Sequence, residues 1–234
     1  MTEETAILEA IQVSKTYETR GVETHALSGI DLTVKEGEFT ALAGPSGSGK
    51  TTLLNLMGAL DAPTNGEVHL DGEHLADLAP AELSDRRLHK LGFIFQAYNL
   101  IPVFSAAENI EFVMELQGVP RDERRARALK LLEEVELGGL GDKRPLEMSG
   151  GQQQRVAVAR ALASQPRIIL ADEPTANLDS KTAIRLLDLM LDLNRNQSTT
   201  FLFSSHDPLV LERATRRVWL RDGAIDRIEE GPTG

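Results

Sequence analysis

The chain has 234 residues, 41% apolar and 26% charged, a composition that belongs to folded globular proteins and excludes disordered and fibrous classes. At this length one large α/β domain with an inserted subdomain is expected, because two unrelated domains would be cramped. A net charge of −11 opposes a nucleic-acid partner on the bulk surface, and the lack of cysteine removes disulfides and thiol chemistry. Residues 1–10 carry Glu3, Glu4 and Glu9 where a secretory signal needs a basic start and an apolar stretch, so no export signal is expected. The uncharged run 91–107 is interrupted by Gly92, Gln96, Asn99, Pro102 and Ser105, and falls short of the roughly 18–20 apolar residues of a spanning helix.

Taken in chain order, Ile7, Ile11 and Val13, then Ile30, Leu32 and Val34, alternate with polar residues and predict two half-buried strands. The short apolar run 39–43 predicts a buried strand, and residues 52–57 have helix composition. Turn-forming residues 61–66 and Asp71-Gly72 bracket a hairpin strand at 67–70. After a strand at 91–95, residues 97–160 read as a mostly helical insert. Within it, 121–135 is a charged helix with Ala128, Leu131, Leu132 and Val135 on its apolar side. An apolar strand at 168–171, a helix from Ser180 to about Asn196 capped by Asp179 or Ser180, and a strand at 199–204 follow. Strands separated by helices imply a parallel sheet.

Gly44-Pro45-Ser46-Gly47-Ser48-Gly49-Lys50-Thr51 matches the eight-residue phosphate-binding pattern and sits between a predicted strand and a predicted helix that begins with Thr52. In that context successive amides and the helix N-terminus present positive potential to phosphates, and the glycines let the backbone approach them. Lys50 is expected to reach the β- and γ-phosphates and Thr51 to place its hydroxyl on Mg²⁺. The strand 168–171 ends in Asp172 and Glu173, at the sheet edge where open α/β folds bind ligands. There Asp172 would hold the metal through its water shell and Glu173 would orient and deprotonate an attacking water.

These features admit kinases and many other NTPases. Met148-Ser149-Gly150-Gly151-Gln152 narrows the class, because it resembles the signature of ATP-binding cassette (ABC) ATPases, with Met148 where Leu is usual. The resemblance covers essentially the whole chain. It implies a P-loop NTPase core with a mostly parallel sheet and flanking helices, an antiparallel β subdomain, and a helical signature subdomain inserted at about 97–160. It also implies a single nucleotide-binding domain spanning 1–234, with ATP and Mg²⁺ as its ligands. In the family pattern Tyr17 stacks on adenine, and Gln96 reports on metal and water. Ser149, Gly150, Gly151 and Gln152 contact the ATP of the opposite subunit. Asp179 belongs to a loop facing that subunit, and His206 contacts the γ-phosphate. An ATP-bound homodimer is therefore expected.

Residues 95–102, 108–110 and 174–179 are similar to the lipoprotein-release and macrolide-efflux branch (LolD-like and MacB-like), although Ala176 stands where Gly is usual. The branch implies a free-standing ATPase at the cytoplasmic face of the cell membrane, held there by separate permease subunits of few spans. The residues after His206 are too few for the regulatory domain of many sugar importers, and no fused membrane domain is expected. A second implied role is regulatory, as in the related cell-division ATPase that signals through a membrane partner to a cell-wall enzyme without transport. Tyr98, Leu100, Ile101, Val103 and Phe104 follow Gln96, and Leu100 and Phe104 are expected to meet a short cytoplasmic helix of the permease.

Overall fold

In a computed structural model of the chain, residues 6–19 and 21–231 are described; Glu3 and Glu4 of the leader expectation lie outside them. Strands β1 (Ala6–Thr19) and β2 (Val22–Lys35) form a long antiparallel pair. β1 pairs on its other edge with the third strand of the same sheet (Asn65–Leu70), which turns back into a two-residue strand (Glu73–His74). With β3 being Phe39–Ala43, these last two are β4 and β5, and the sheet order is β2-β1-β4-β5.

The second sheet has six strands. β3, β6 (Leu91–Ile94), β7 (Ile168–Ala171), β8 (Thr200–Ser205) and β9 (Arg216–Arg221) run parallel, and β10 (Ala224–Glu230) closes the edge antiparallel to β9, giving β10-β9-β3-β8-β7-β6. Both faces of this sheet are covered at its centre, as the fully buried strands β3, β7 and β8 require. Phe39, Ala41, Ile169, Ala171, Phe201 and Phe203 point into one hydrophobic core, while Leu42, Ile168, Leu170 and Leu202 point into another. The first core is completed by helices α3 (Ala106–Leu116), α4 (Arg121–Glu134), α5 (Gly150–Ala163) and α6 (Ser180–Gln197). The second is completed by α1 (Lys50–Met57) and by the inner face of the antiparallel sheet. The remaining helices are α2 (Pro80–Lys90), which precedes β6, and the single turn α7 (Pro208–Leu211).

Local chemistry sets the helix ends. Ser105 and Glu108 exchange side-chain and backbone hydrogen bonds at 3.3 and 2.7 Å to open α3, and Asp179 accepts the amides of Lys181 and Thr182 at 3.1 Å to open α6. Of the predicted apolar side of α4, Ala128, Leu132 and the following Val135 are buried and Leu131 is partly so. The insert is not helical at its start. Between β6 and α3 the chain runs irregularly, with Tyr98 and Asn99 at positive φ, and buried Asn109 pins it by accepting the Ile101 amide at 2.7 Å and donating to the Ser105 carbonyl at 2.9 Å.

Phe39 stands at the centre of the first core, fully buried with its ring 5.5 Å from Phe201 and 4.8 Å from Phe203. Phe39→Ala is expected to lower unfolding stability by about 3–5 kcal/mol. A urea titration would show this as a lower midpoint at unchanged slope.

Candidate active site

The phosphate-binding segment joins β3 to α1. Gly49 takes φ 103°, and a Cβ there would lie 2.7 Å from Leu27 Cδ2 and 2.8 Å from the Ala26 carbonyl, so only glycine permits this approach of β2 to the loop. A cleft of about 450 Å³ opens beside it, lined by Ser46, Gly47, Gly49, Lys50, Thr51 and Thr52 of the loop, by Gln96, Glu173 and His206, and by Thr24, His25, Ala26 and Ala176. Gly44, Pro45 and Ser48 of the same loop do not line the cleft. The Lys50 ammonium donates to the carbonyls of Gly44 at 2.8 Å and Pro45 at 3.0 Å.

Behind the cleft, the Thr51 hydroxyl donates to Asp172 Oδ1 at 3.0 Å, joining α1 to the end of β7. The buried Ser204 hydroxyl donates to that same oxygen at 2.7 Å and accepts the Glu173 amide at 2.8 Å. Glu173 itself adopts φ 45°, a left-handed conformation uncommon for a non-glycine residue and of the kind found where a site constrains the backbone. Its carboxylate Oε1 lies 2.9 Å from His206 Nδ1 and 3.9 Å from the Lys50 ammonium.

At the rim, the Tyr17 hydroxyl donates to Asp61 at 2.9 Å and also meets Thr52, while the Lys15 ammonium sits 4.8 Å from the Tyr17 ring centre. Burial, then the Asp61 carboxylate, push the Tyr17 hydroxyl above its ordinary pKa. Burial raises the Asp61 carboxyl, but its hydrogen bonds to Lys15, Tyr17 and the Ala62 amide outweigh that and hold it below the usual range.

Besides Tyr17, Asp172 and the three loop residues named above, the predicted site residues of the α5 turn and Asp179 do not line this cleft. Ser149, Gly150, Gly151 and Gln152 open α5 by a reciprocal cap: the Gln152 amide donates to Ser149 Oγ at 3.3 Å and the Ser149 amide to Gln152 Oε1 at 2.9 Å. A Cβ on Gly151 would lie 2.5 Å from Thr182 Cγ2, so the bare backbone is what lets this turn pack on α6. Asp179 caps α6, and the Thr182 hydroxyl, the largest influence on it, holds its carboxyl below the usual range.

This sheet, this loop and this pair of carboxylates call for comparison with known cassettes. The chain matches the ABC transporter family over residues 27–176. It belongs to that family. It is 46% identical to an ABC transporter ATP-binding protein of Thermotoga maritima over 95% of both chains. It is 45% identical to the lipoprotein-releasing system ATP-binding protein LolD of Anaeromyxobacter dehalogenans, covering 97% of this chain and 95% of that one. The macrolide export ATP-binding/permease protein MacB of Syntrophobacter fumaroxidans is 44% identical over 97% of this chain, which spans only 32% of that protein. Among solved structures, a dimeric post-hydrolysis state of the ATP-binding cassette MJ0796 bound to ADP and Pi superposes with a TM-score of 0.90 at 43% identity, covering 97% of this chain and all of that one. The fold expected from the sequence, a P-loop α/β core, is that of these ABC cassettes.

Within this ABC transporter chain several residues at the site carry no signal that reading the sequence found. Ser204 is one, a hydroxyl amid an apolar strand. Thr24, His25 and Ala26 reach the cleft from the first turn-side residues of β2. Arg160, near the end of α5, donates to the backbone carbonyls of Tyr98 (2.9 Å) and Asn99, and burial lowers its pKa. Asn177, which lies in the 174–179 segment singled out from the sequence, donates to the Gln96 carbonyl at 2.8 Å, tying the segment after Glu173 to the one after β6.

The residues expected to meet a permease differ in exposure. Leu100 is half-buried against the first core, and the Phe104 ring packs edge-on against Phe112 at 5.9 Å, since both side chains are used to seat the loop on α3. Val103 is the exposed member, at 70%. Beside them runs an apolar groove lined by Leu60, Phe93, Phe95, Val113 and Leu116, with Leu60 and Leu116 largely exposed.

Proposed function

We propose that this chain is the ATP-hydrolysing subunit of an ABC transporter, binding ATP at the phosphate loop and driving a separate membrane permease. The observation that carries the reading is the position of Glu173 at the mouth of the cleft, fixed by Ser204 and His206 within ion-pair reach of Lys50. A carboxylate there is placed to take a proton from water attacking the γ-phosphate. The loop residues fit a nucleotide: Ser48 Oγ is buried with no hydrogen-bond partner among the described residues, and the α1 N-terminus supplies amides suited to phosphate oxygens.

A hard divalent ion also fits. Thr51 and Asp172 bring two oxygen donors within 3.0 Å, and Gln96 adds an amide oxygen at the cleft; we assign these residues to Mg²⁺, which supplies charge neutralisation at the phosphates. Lys50 would leave the Gly44 and Pro45 carbonyls for the phosphates, and His206 would orient Glu173 and meet the γ-phosphate. Tyr17 offers a ring for adenine. ATP hydrolysis by the purified chain, measured as phosphate release and lost on Lys50→Ala, tests the reading.

The signature turn lies outside its own chain's cleft, which supports a pair in which Ser149, Gly150, Gly151, Gln152 and Asp179 complete the site of a second copy. The dimeric MJ0796 structure supports the same arrangement. The unit that works this way is the whole chain, with residues 97–160 as its inserted helical subdomain.

Among the described residues no helix is long and apolar enough to cross a membrane. The LolD and MacB relatives support a peripheral place on the cytoplasmic face, beside a permease of few spans. The apolar groove is our assignment for the permease contact. Val113→Glu and Leu116→Glu are expected to preserve basal ATP hydrolysis and to abolish co-purification with the permease; normal co-purification would move the contact elsewhere.

A further inference from the structure

A second cluster of ligand-type side chains lies on the edge hairpin β4–β5, in the antiparallel sheet and not in the parallel sheet whose strand β3 leads into the phosphate loop. His69 and His74 are direct cross-strand partners, and their rings stack at 5.0 Å with an interplanar angle of 21°. The turn between the strands is the two-residue Asp71-Gly72, both at positive φ, a geometry that fixes hairpin register and so holds the two imidazoles side by side. Glu67, two residues before His69 and hence on the same face, lies 2.8 Å from His69 Nε2. One ligand atom from each of Glu67, His69 and His74 falls within 4.8 Å of the other two. From outside, the Asp77 carboxylate lies 3.2 Å from His74 Nδ1. A proton held on Nδ1 by Asp77 leaves Nε2 with its lone pair, the carboxylate–histidine arrangement that orients metal-bound imidazoles. Both histidines are half-buried, so their rings have few rotamers to lose on binding.

From this we propose a binding site for a borderline divalent transition metal, Zn²⁺ foremost, with Glu67, His69 and His74 as ligands and Asp77 as the positioning carboxylate. Two imidazoles and a carboxylate suit zinc rather than magnesium or calcium, which prefer all-oxygen sets. Bound there, the ion clips the two-residue edge strand β5 to β4.

The test is titration of the untagged, nucleotide-free chain with Zn²⁺ in competition with a chromogenic chelator. One ion per chain is expected, with at least tenfold weaker binding in His69→Ala and in His74→Ala and about 10–100-fold weaker binding in Asp77→Asn. Basal ATP hydrolysis in Mg²⁺ stays unchanged in all three, which separates this site from the phosphate cleft and checks folding. Zinc binding that survives both histidine substitutions, or no binding in the wild type at millimolar Zn²⁺, overturns the proposal.

Discussion

Glu173→Gln is expected to bind ATP as the wild type does and to lose about 10²–10⁴-fold in turnover, the range that a positioned general base supplies. The amide keeps the size and shape of the side chain and still meets His206 Nδ1, 2.9 Å from the carboxylate oxygen it replaces, but it cannot accept the proton of an attacking water. Because the backbone at Glu173 is held by the Ser204 hydroxyl and not by its own side chain, the strained φ of 45° is preserved in the variant. ATP-loaded chains should then accumulate as dimers on size-exclusion chromatography in the presence of Mg²⁺. Turnover within a few-fold of wild type would remove Glu173 from the role of base.

Ser149→Arg is the second large effect. The substitution removes one cap from α5, costing about 1 kcal/mol of helix stability, and puts a long cation over the turn formed by Gly150 and Gly151. The phosphate loop of the same chain is untouched, so nucleotide affinity of the isolated subunit should stay within threefold of wild type. Hydrolysis by the homodimer is expected to fall by about 10²–10³-fold, the usual cost of losing a preorganised donor at a site of developing charge. Mixing these chains with Lys50→Ala chains regenerates one intact composite site per heterodimer, and activity should appear that neither parent has. A tenfold loss of ATP affinity in Ser149→Arg monomers would mean instead that the turn serves its own chain's nucleotide.

The parts of this architecture that the sequence made legible are those where one local rule acts alone. The loop from Gly44 to Thr51 declares itself by glycine spacing, and β3, β7 and β8 by short, mainly apolar runs that only a doubly covered sheet can bury. Strand β9 was illegible because its alternation hides behind arginines: Val218 and Leu220 are buried, while Arg216 and Arg217 lie half-buried, their heads paired with Glu38 and Glu229. Toward their shared turn β1 and β2 are mostly polar, with Tyr17 and Val22 exposed, so their pairing out to Thr19 and Val22 leaves no periodic trace. At the site, Ser204 and Arg160 act through partners 32 and 62 residues away, and no spacing rule reaches that far. Leu100 and Phe104 are in part taken up by packing within the chain, a use that nothing in their spacing reveals.

The alternation of side chains in β3, β7 and β8 between two cores has a mechanical consequence. A strand whose odd residues belong to one core and whose even residues belong to the other cannot shift by a residue, tilt or slide without disturbing both, so the central sheet behaves as a fixed frame. Asp172, Glu173 and His206 sit at the ends of two of these strands and inherit that rigidity. Gln96 and residues 97–105 do not: they hang from the edge strand β6, held by single side chains such as Arg160, Asn177 and Asn109. A displacement of Gln96 therefore falls first on that loop and its side-chain tethers, before it reaches the frame.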